Sequence, residues 1–453
     1  MSEFDLIVAG GQIVTPHSAY RAAVHVKGGR IVRIAESPEG SAEKTVDAGG
    51  LHVMAGFLDA HCHIMDPGYP ECEDFARGTG AAAKAGLTCI LDVPRHQPPI
   101  DSARRVEEQR AYLAGKGVVD YGFMAGVYPY NVEDVEAMWR AGAVALKCFT
   151  VEIHETPPLM PGQLQRLFRL ASGFGGAILI HAEDDSVVRA NEALLRATGR
   201  KDYLVHAEMH TREAQELAVD SVCSVAEYAL KPPARLVFAH ISAPEGLRRI
   251  HKAQMRGAPV YAETMGHYLT LTLDDLRKKG PWVKFAPTAR EPGTVEEMWR
   301  CLNQGLIHQI SSDHAPQPGR LIAPGEKDIW ASPLVTGANI EVNTRLMLNG
   351  VSEGKTTLQR LAQILSAGPA QHYGLYPRKG AVQVGSDADL VVVDMGRTET
   401  MERGKTVSKG GWTMHDGKPL KGAPVMTFVR GRLVYEEGRV VGEPGWGKFV
   451  TSH

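Results

Sequence analysis

Between Phe57 and Asp313 the chain repeats one pattern eight times: a short apolar or β-branched run, then a longer stretch with helical spacing. Repeated strand–helix units of this kind build a parallel sheet, and eight of them are enough to close a (β/α)8 barrel, the TIM barrel of the α/β class. The runs are Phe57 to His63, Leu87 to Val93, Val119 to Val127, Val144 to Phe149, Ala177 to His181, Leu236 to His240, Ala258 to Glu263 and Gln309 to Asp313. Amphipathic segments fall between them, including Ser102 to Lys116, Pro161 to Ser172, Thr211 to Tyr228 and Val295 to Gln304, and these would cover the outside of the sheet.

The flanks have a different texture. FDLIVAGGQIV and AAVHVKGGRIVRIAE near the start, and KGAVQVGSDADLVVVDM and APVMTFVRGRLVYEEGRVV near the end, read as short antiparallel strands joined by Gly-containing turns. Both termini are therefore expected to build one small β-sandwich domain. The expected layout is residues 1–54 for its N-terminal part, 55–370 for the barrel, 371–440 for its C-terminal part and 441–453 for a tail. That tail either extends over a neighbouring subunit or stays loose.

Fifty Lys+Arg balance 52 Asp+Glu, for a formal charge of −2. No global field draws such a chain to nucleic acid or an anionic membrane, so a small-molecule substrate is the expected partner. No run reaches membrane-spanning length, and the start MSEFDLIVAGG lacks the basic and apolar regions of a signal peptide, so the expectation is a cytoplasmic protein. Six cysteines, none in a CxxC spacing and several inside apolar runs, read as packing residues.

Five of the eight runs end at or beside a residue able to bind metal: His61 and His63, Lys147, His181, His240 and Asp313. In a barrel the C-terminal strand ends form one face, so these residues converge although they are far apart in sequence. His61 and His63 are two apart on a strand and project from the same side. Four imidazoles and a carboxylate form a nitrogen and oxygen set suited to zinc, with cobalt, manganese or nickel as possible occupants. Lys147 is the least expected member. Burial would favour its neutral amine, which can react with CO₂ to give an anionic carbamate; alternatively its ammonium pairs with a nearby carboxylate.

At these motifs the chain resembles the amidohydrolase superfamily, in the cyclic amidase branch of dihydroorotases, allantoinases, hydantoinases and dihydropyrimidinases. MAGFLDAHCHIMDPG resembles the HxH strand, GTGAAAKAGLTCILDVP the first helix and second strand, and ALKCF the carboxylated-lysine strand. LIHAED, FAHIS, AETMGHYLTLT, SSDHAP and KGAVQVGSDADLVVVD follow in the family's order. The resemblance implies two divalent ions: His61 and His63 on the more buried one, His181 and His240 on the more exposed one, carboxylated Lys147 bridging them, and Asp313 completing the site. It further implies hydrolytic opening of a cyclic amide, imide or ureide by a metal-bridging hydroxide, with Asp313 as general base and then acid. A homo-oligomer, dimer or tetramer, is also expected from the family.

The substrate ring is less constrained. Dihydroorotases carry Arg two residues after the second His of HxH, and allantoinases usually Asn; Met65 stands here. Met65 either offers the substrate an apolar patch or packs within its loop. Arg95 replaces the Asn of the dihydroorotase-like VPN segment, and would either hold a substrate anion or pair with Asp66 or Glu71. Hydantoinases place a Tyr beyond the carboxylated lysine, whereas CFTVEIHETPPL has none, leaving Thr150, His154 or another loop to substitute. Asn339, in SPLVTGANIE, lies in the segment resembling the loop that contacts the substrate amide. A linear amidase, a mononuclear deaminase of the same superfamily and a non-catalytic dihydropyrimidinase-related scaffold are the competing readings.

Overall fold

A computed structural model describes residues 2–153 and 156–452. Eight parallel strands form the central sheet: Phe57–Cys62, Leu87–Asp92, Asp120–Gly126, Ala145–Phe149, Ala177–His181, Arg235–Phe238, Val260–Met265 and Gln309–Ser311. Each predicted run supplies one of them. Neighbours pair in chain order, and the first and last meet where Asp313 N–H donates to the His61 carbonyl at 2.7 Å and His63 N–H to the His314 carbonyl at 2.6 Å. The sheet is thus closed into a barrel by the two segments that carry three of the candidate ligands.

Helices cover it where the apolar periodicity places them. Ala103–Leu113 starts at Ser102, whose hydroxyl accepts from Arg105 N–H, and Arg212–Ala229 starts at Thr211, whose hydroxyl accepts from Ala214 N–H. Each caps a backbone donor that the helix itself leaves unpaired. Pro161 opens Pro161–Phe174 at a position where its missing N–H costs nothing.

Strands from both termini meet in one sheet, since Leu390–Val393 pair with His52–Ala55, which in turn run parallel to Gln12–Val14. A second, four-stranded sheet is formed by Phe4–Ala9, Ala23–Lys27, Arg30–Ala35 and Ala42–Asp47. Leu6, Val24 and Val26 of that sheet share a core with Val53, Leu390 and Phe428 of the first, so the two face each other as a sandwich.

The tail lies against its own barrel. Tyr121 N–H donates to the Lys448 carbonyl and Val450 N–H to the Tyr121 carbonyl, while the Phe449 ring packs on Tyr121 and Phe123. Nearby, buried Lys379 is held by Asp120, Asp387 and Asp389 at 2.5, 3.0 and 2.6 Å, which ties the start of the third strand to the β-domain. All six cysteines are buried and unpaired. No helix among the described residues is long and apolar enough to cross a membrane.

Candidate active site

A cavity of about 780 Å³ opens at the C-terminal ends of the barrel strands, and His61, His63, Lys147, His181, His240 and Asp313 all line it. The first barrel strand contributes His61 and the residue just past its end is His63, with ring centroids 5.4 Å apart. From across the closure Asp313 brings one carboxylate oxygen to 3.4 Å from His61 Nε2 and 3.3 Å from His63 Nε2. His181 and His240 lie edge to face with centroids 4.4 Å apart, and His240 is 5.5 Å from His61. His240 and Asp313 hold φ values of 36° and 50°, in the left-handed region that non-glycine residues rarely adopt. Such backbone costs on the order of 1 kcal/mol or more per residue and turns these side chains into the cavity where a regular strand would not.

The imidazoles are oriented from behind. Glu263 accepts from His61 Nδ1 at 2.8 Å, and its other oxygen accepts from Gln309 Nε2 at 2.6 Å. His63 Nδ1 donates to the Val93 carbonyl at 3.1 Å. Glu183 accepts from His181 Nε2 at 2.8 Å and from His210 Nδ1 at 3.0 Å. A histidine that spends one ring nitrogen as a donor is left with an unprotonated second nitrogen for a cation, so the tautomers suit a metal. Burial keeps His63 neutral, with a pKa near 4, and pushes His240 well below the ordinary imidazole value. For Asp313, burial favours the neutral acid, but the polar contacts with His63, His61 and His240 outweigh it and hold its carboxyl below the ordinary carboxylate value.

Lys147 is 1% exposed, and its Nζ has no hydrogen-bond partner among the described residues. The carboxylate partner that would make it an ordinary buried ion pair is absent among the described residues. Burial pushes its pKa down to about 8, against the opposing pull of Glu263 and Asp313. The Nδ1 of His240 is likewise unpartnered. Unpartnered buried nitrogens beside a cluster of neutral imidazoles and a carboxylate are what a metal-binding donor set leaves when no ion is present, and the residues fit divalent cations.

The residues expected to contact substrate divide. Arg95 lines the cavity. Met65 is buried at 1% with a φ of 59° and is not among the residues that line the cavity, which favours packing within its loop over an apolar patch facing substrate. Thr150 is also off the wall, its hydroxyl donating to the carbonyls of His181 and Glu183. Asn339, fully buried, donates to the Ser312 carbonyl and lies beside His267. His154 lies outside the described residues. The phenols on the wall come from other loops, at Tyr69, Tyr128 and Tyr130. Glu263 and Glu183 carry no role in the sequence reading. A signal existed for both: an acidic residue closing one apolar run, and another two residues beyond a strand-end histidine.

A barrel that gathers these groups on its C-terminal face carries them where barrel enzymes build their active sites. The chain belongs to the amidohydrolase family, whose pattern matches residues 52–434. Its relatives, hydantoinases and allantoinases by name, align along nearly the whole chain. An L-hydantoinase of Paenarthrobacter aurescens is 33% identical over 99% of this chain and 98% of its own length. An allantoinase of Deinococcus radiodurans is 30% identical over 97% of each. Among solved structures, the L-hydantoinase (dihydropyrimidinase) from Arthrobacter aurescens superposes with a TM-score of 0.96 at 32% identity, covering 99% of this chain and all of that one.

Proposed function

We propose that this chain is a binuclear metal-dependent enzyme that opens a five- or six-membered cyclic amide, imide or ureide ring, in the manner of a hydantoinase or allantoinase. The observation carrying the reading is the convergence of His61, His63, Lys147, His181, His240 and Asp313 on one cavity. His61, His63 and Asp313 would hold one ion, His181 and His240 the other, and Lys147 would bridge them. For that the lysine must become an anion: its Nζ lone pair attacks the carbon of CO₂, a C–N bond forms, and one proton leaves to give the carbamate. The absence of any carboxylate or other hydrogen-bond partner on Nζ among the described residues supports this.

When bound, two divalent ions, zinc or a similar metal, would polarise the scissile carbonyl and activate a water. Asp313 accepts the proton of that water and returns it to the ring nitrogen as the C–N bond breaks, since an amide anion leaves poorly. Glu263 and the Val93 carbonyl hold the HxH rings in the tautomer this requires. Tyr69, Tyr128, Phe149 and Phe285 on the cavity wall would give a ring substrate aromatic surface to pack on. The enzyme is expected to work in the cytoplasm as a dimer or tetramer, which sedimentation of the purified protein measures.

Elemental analysis of protein produced with zinc and bicarbonate tests the binuclear centre. Two ions per chain, with hydrolysis of a hydantoin, are expected. One ion per chain would favour a mononuclear deaminase, which does not need Lys147.

A further inference from the structure

Among the charged groups on the cavity wall, Arg95 and Glu71 have no assigned task, and Arg95 is the cation of the two. It stands on the loop after the second strand, which is fixed at both ends. Val93 N–H donates to the Cys62 carbonyl, and His96 Nε2 lies 3.0 Å from the Asp92 carboxylate. The guanidinium itself makes no hydrogen bond or ion pair with the described residues. Of the two carboxylates the sequence offers, Asp66 is occupied by Phe75 N–H at 3.0 Å and the Tyr112 hydroxyl at 2.6 Å, and Glu71 is not within ion-pair distance. Arg95 is nevertheless close enough to the centre to feel the charge of Asp313 and to disfavour protonation of His63.

A guanidinium that lines an open cavity and has no hydrogen-bond partner among the described residues keeps its donors available to a substrate. It cannot be a metal ligand, because it stays protonated and has no acceptor. Its planar fork matches a carboxylate in bidentate fashion. From these observations we infer that Arg95 is a specificity-determining residue that binds a carboxylate substituent carried by the cyclic amide. The inference rests on the ring-opening reading for the identity of the scaffold, and it narrows the substrate class to anionic rings. Tyr69, Gln97 and Gln317 share this wall and supply further hydrogen-bonding groups.

The test compares hydantoin-5-acetic acid with its neutral, nearly isosteric amide, using full-length metal-replete enzyme, Arg95→Gln and Arg95→Lys, with circular dichroism reporting the fold. The wild-type kcat/KM should favour the acid by about 10- to 100-fold, the range for a charge-assisted hydrogen bond. In Arg95→Gln the acid-to-amide ratio should collapse toward one, and Arg95→Lys should recover part of it. A wild-type ratio near one, or a ratio unchanged in Arg95→Gln, overturns the assignment. Calorimetric binding of the same pair separates the two readings. Arg95-dependent preference for the acid without turnover of either compound or of hydantoin rejects ring opening and keeps the anion site. Turnover of hydantoin without any acid preference rejects the anion site alone. No binding preference and no turnover rejects both.

Discussion

Glu263 Oε1 lies 2.8 Å from His61 Nδ1, although the two residues are 202 positions apart in the chain. Both are buried, and the second Glu263 oxygen is taken by Gln309, whose own carbonyl oxygen accepts from His372 Nδ1 at 2.7 Å. A line of hydrogen bonds therefore runs inside the barrel to the back of the HxH motif. It fixes which nitrogen of His61 is free to face a cation.

Glu263→Gln should weaken metal retention or activity by about 10- to 100-fold, the usual cost of losing a group that orients a ligand. Metal content after dialysis against a chelator, compared with wild type, is the measurement. Equal retention and equal turnover would show that His61 orients itself without the carboxylate.

Lys147→Ala should lose the bridging ligand, and with it bound metal and ring-opening activity together. A variant that kept two ions and normal turnover would sink the bridge. Bicarbonate-depleted preparation of the wild-type protein should reproduce the loss, and restoring bicarbonate with metal should reverse it.

Asp313→Ala should keep much of its fold and lose turnover by orders of magnitude, because the proton acceptor and donor is removed. Pre-steady-state and steady-state hydrolysis at a fixed metal load read this out. Near-normal rates would mean that another base acts.

Lys379→Met should destabilise the chain by about 3–5 kcal/mol, since three buried carboxylates would lose their shared cation. The urea midpoint should fall, while the metal content of the folded fraction stays that of wild type. An unchanged midpoint would show that the cluster contributes nothing net to holding the barrel and β-domain together.

The barrel was legible because its strands are apolar on both faces and end at recognisable residues, so eight runs and their helices could be counted. The convergence of the six candidate residues on one cavity was legible for the same reason: strand ends converge by topology alone. What spacing cannot show is which side chains meet from distant strands, and so Glu263 behind His61 and Glu183 between His181 and His210 went unassigned. Loop residues were harder still. Met65, Thr150 and Asn339 are near the motifs in sequence, yet Met65 is buried off the cavity wall, and Thr150 and Asn339, the latter at the start of a helix, spend their side chains on main-chain carbonyls. The tail offered no periodicity, and its docking depends on the Phe449 ring meeting Tyr121 and Phe123, a contact between segments more than 300 residues apart.

The most direct test of the central claim is ring opening by metal-replete enzyme, with bicarbonate present, across hydantoin, dihydrouracil, allantoin, dihydroorotate, succinimide and phthalimide. Hydrolysis of at least one of these rings, abolished by Asp313→Ala, is expected. Protein shown to hold two metal ions per chain that opens none of them would contradict the claim, and would move the assignment to a linear amide.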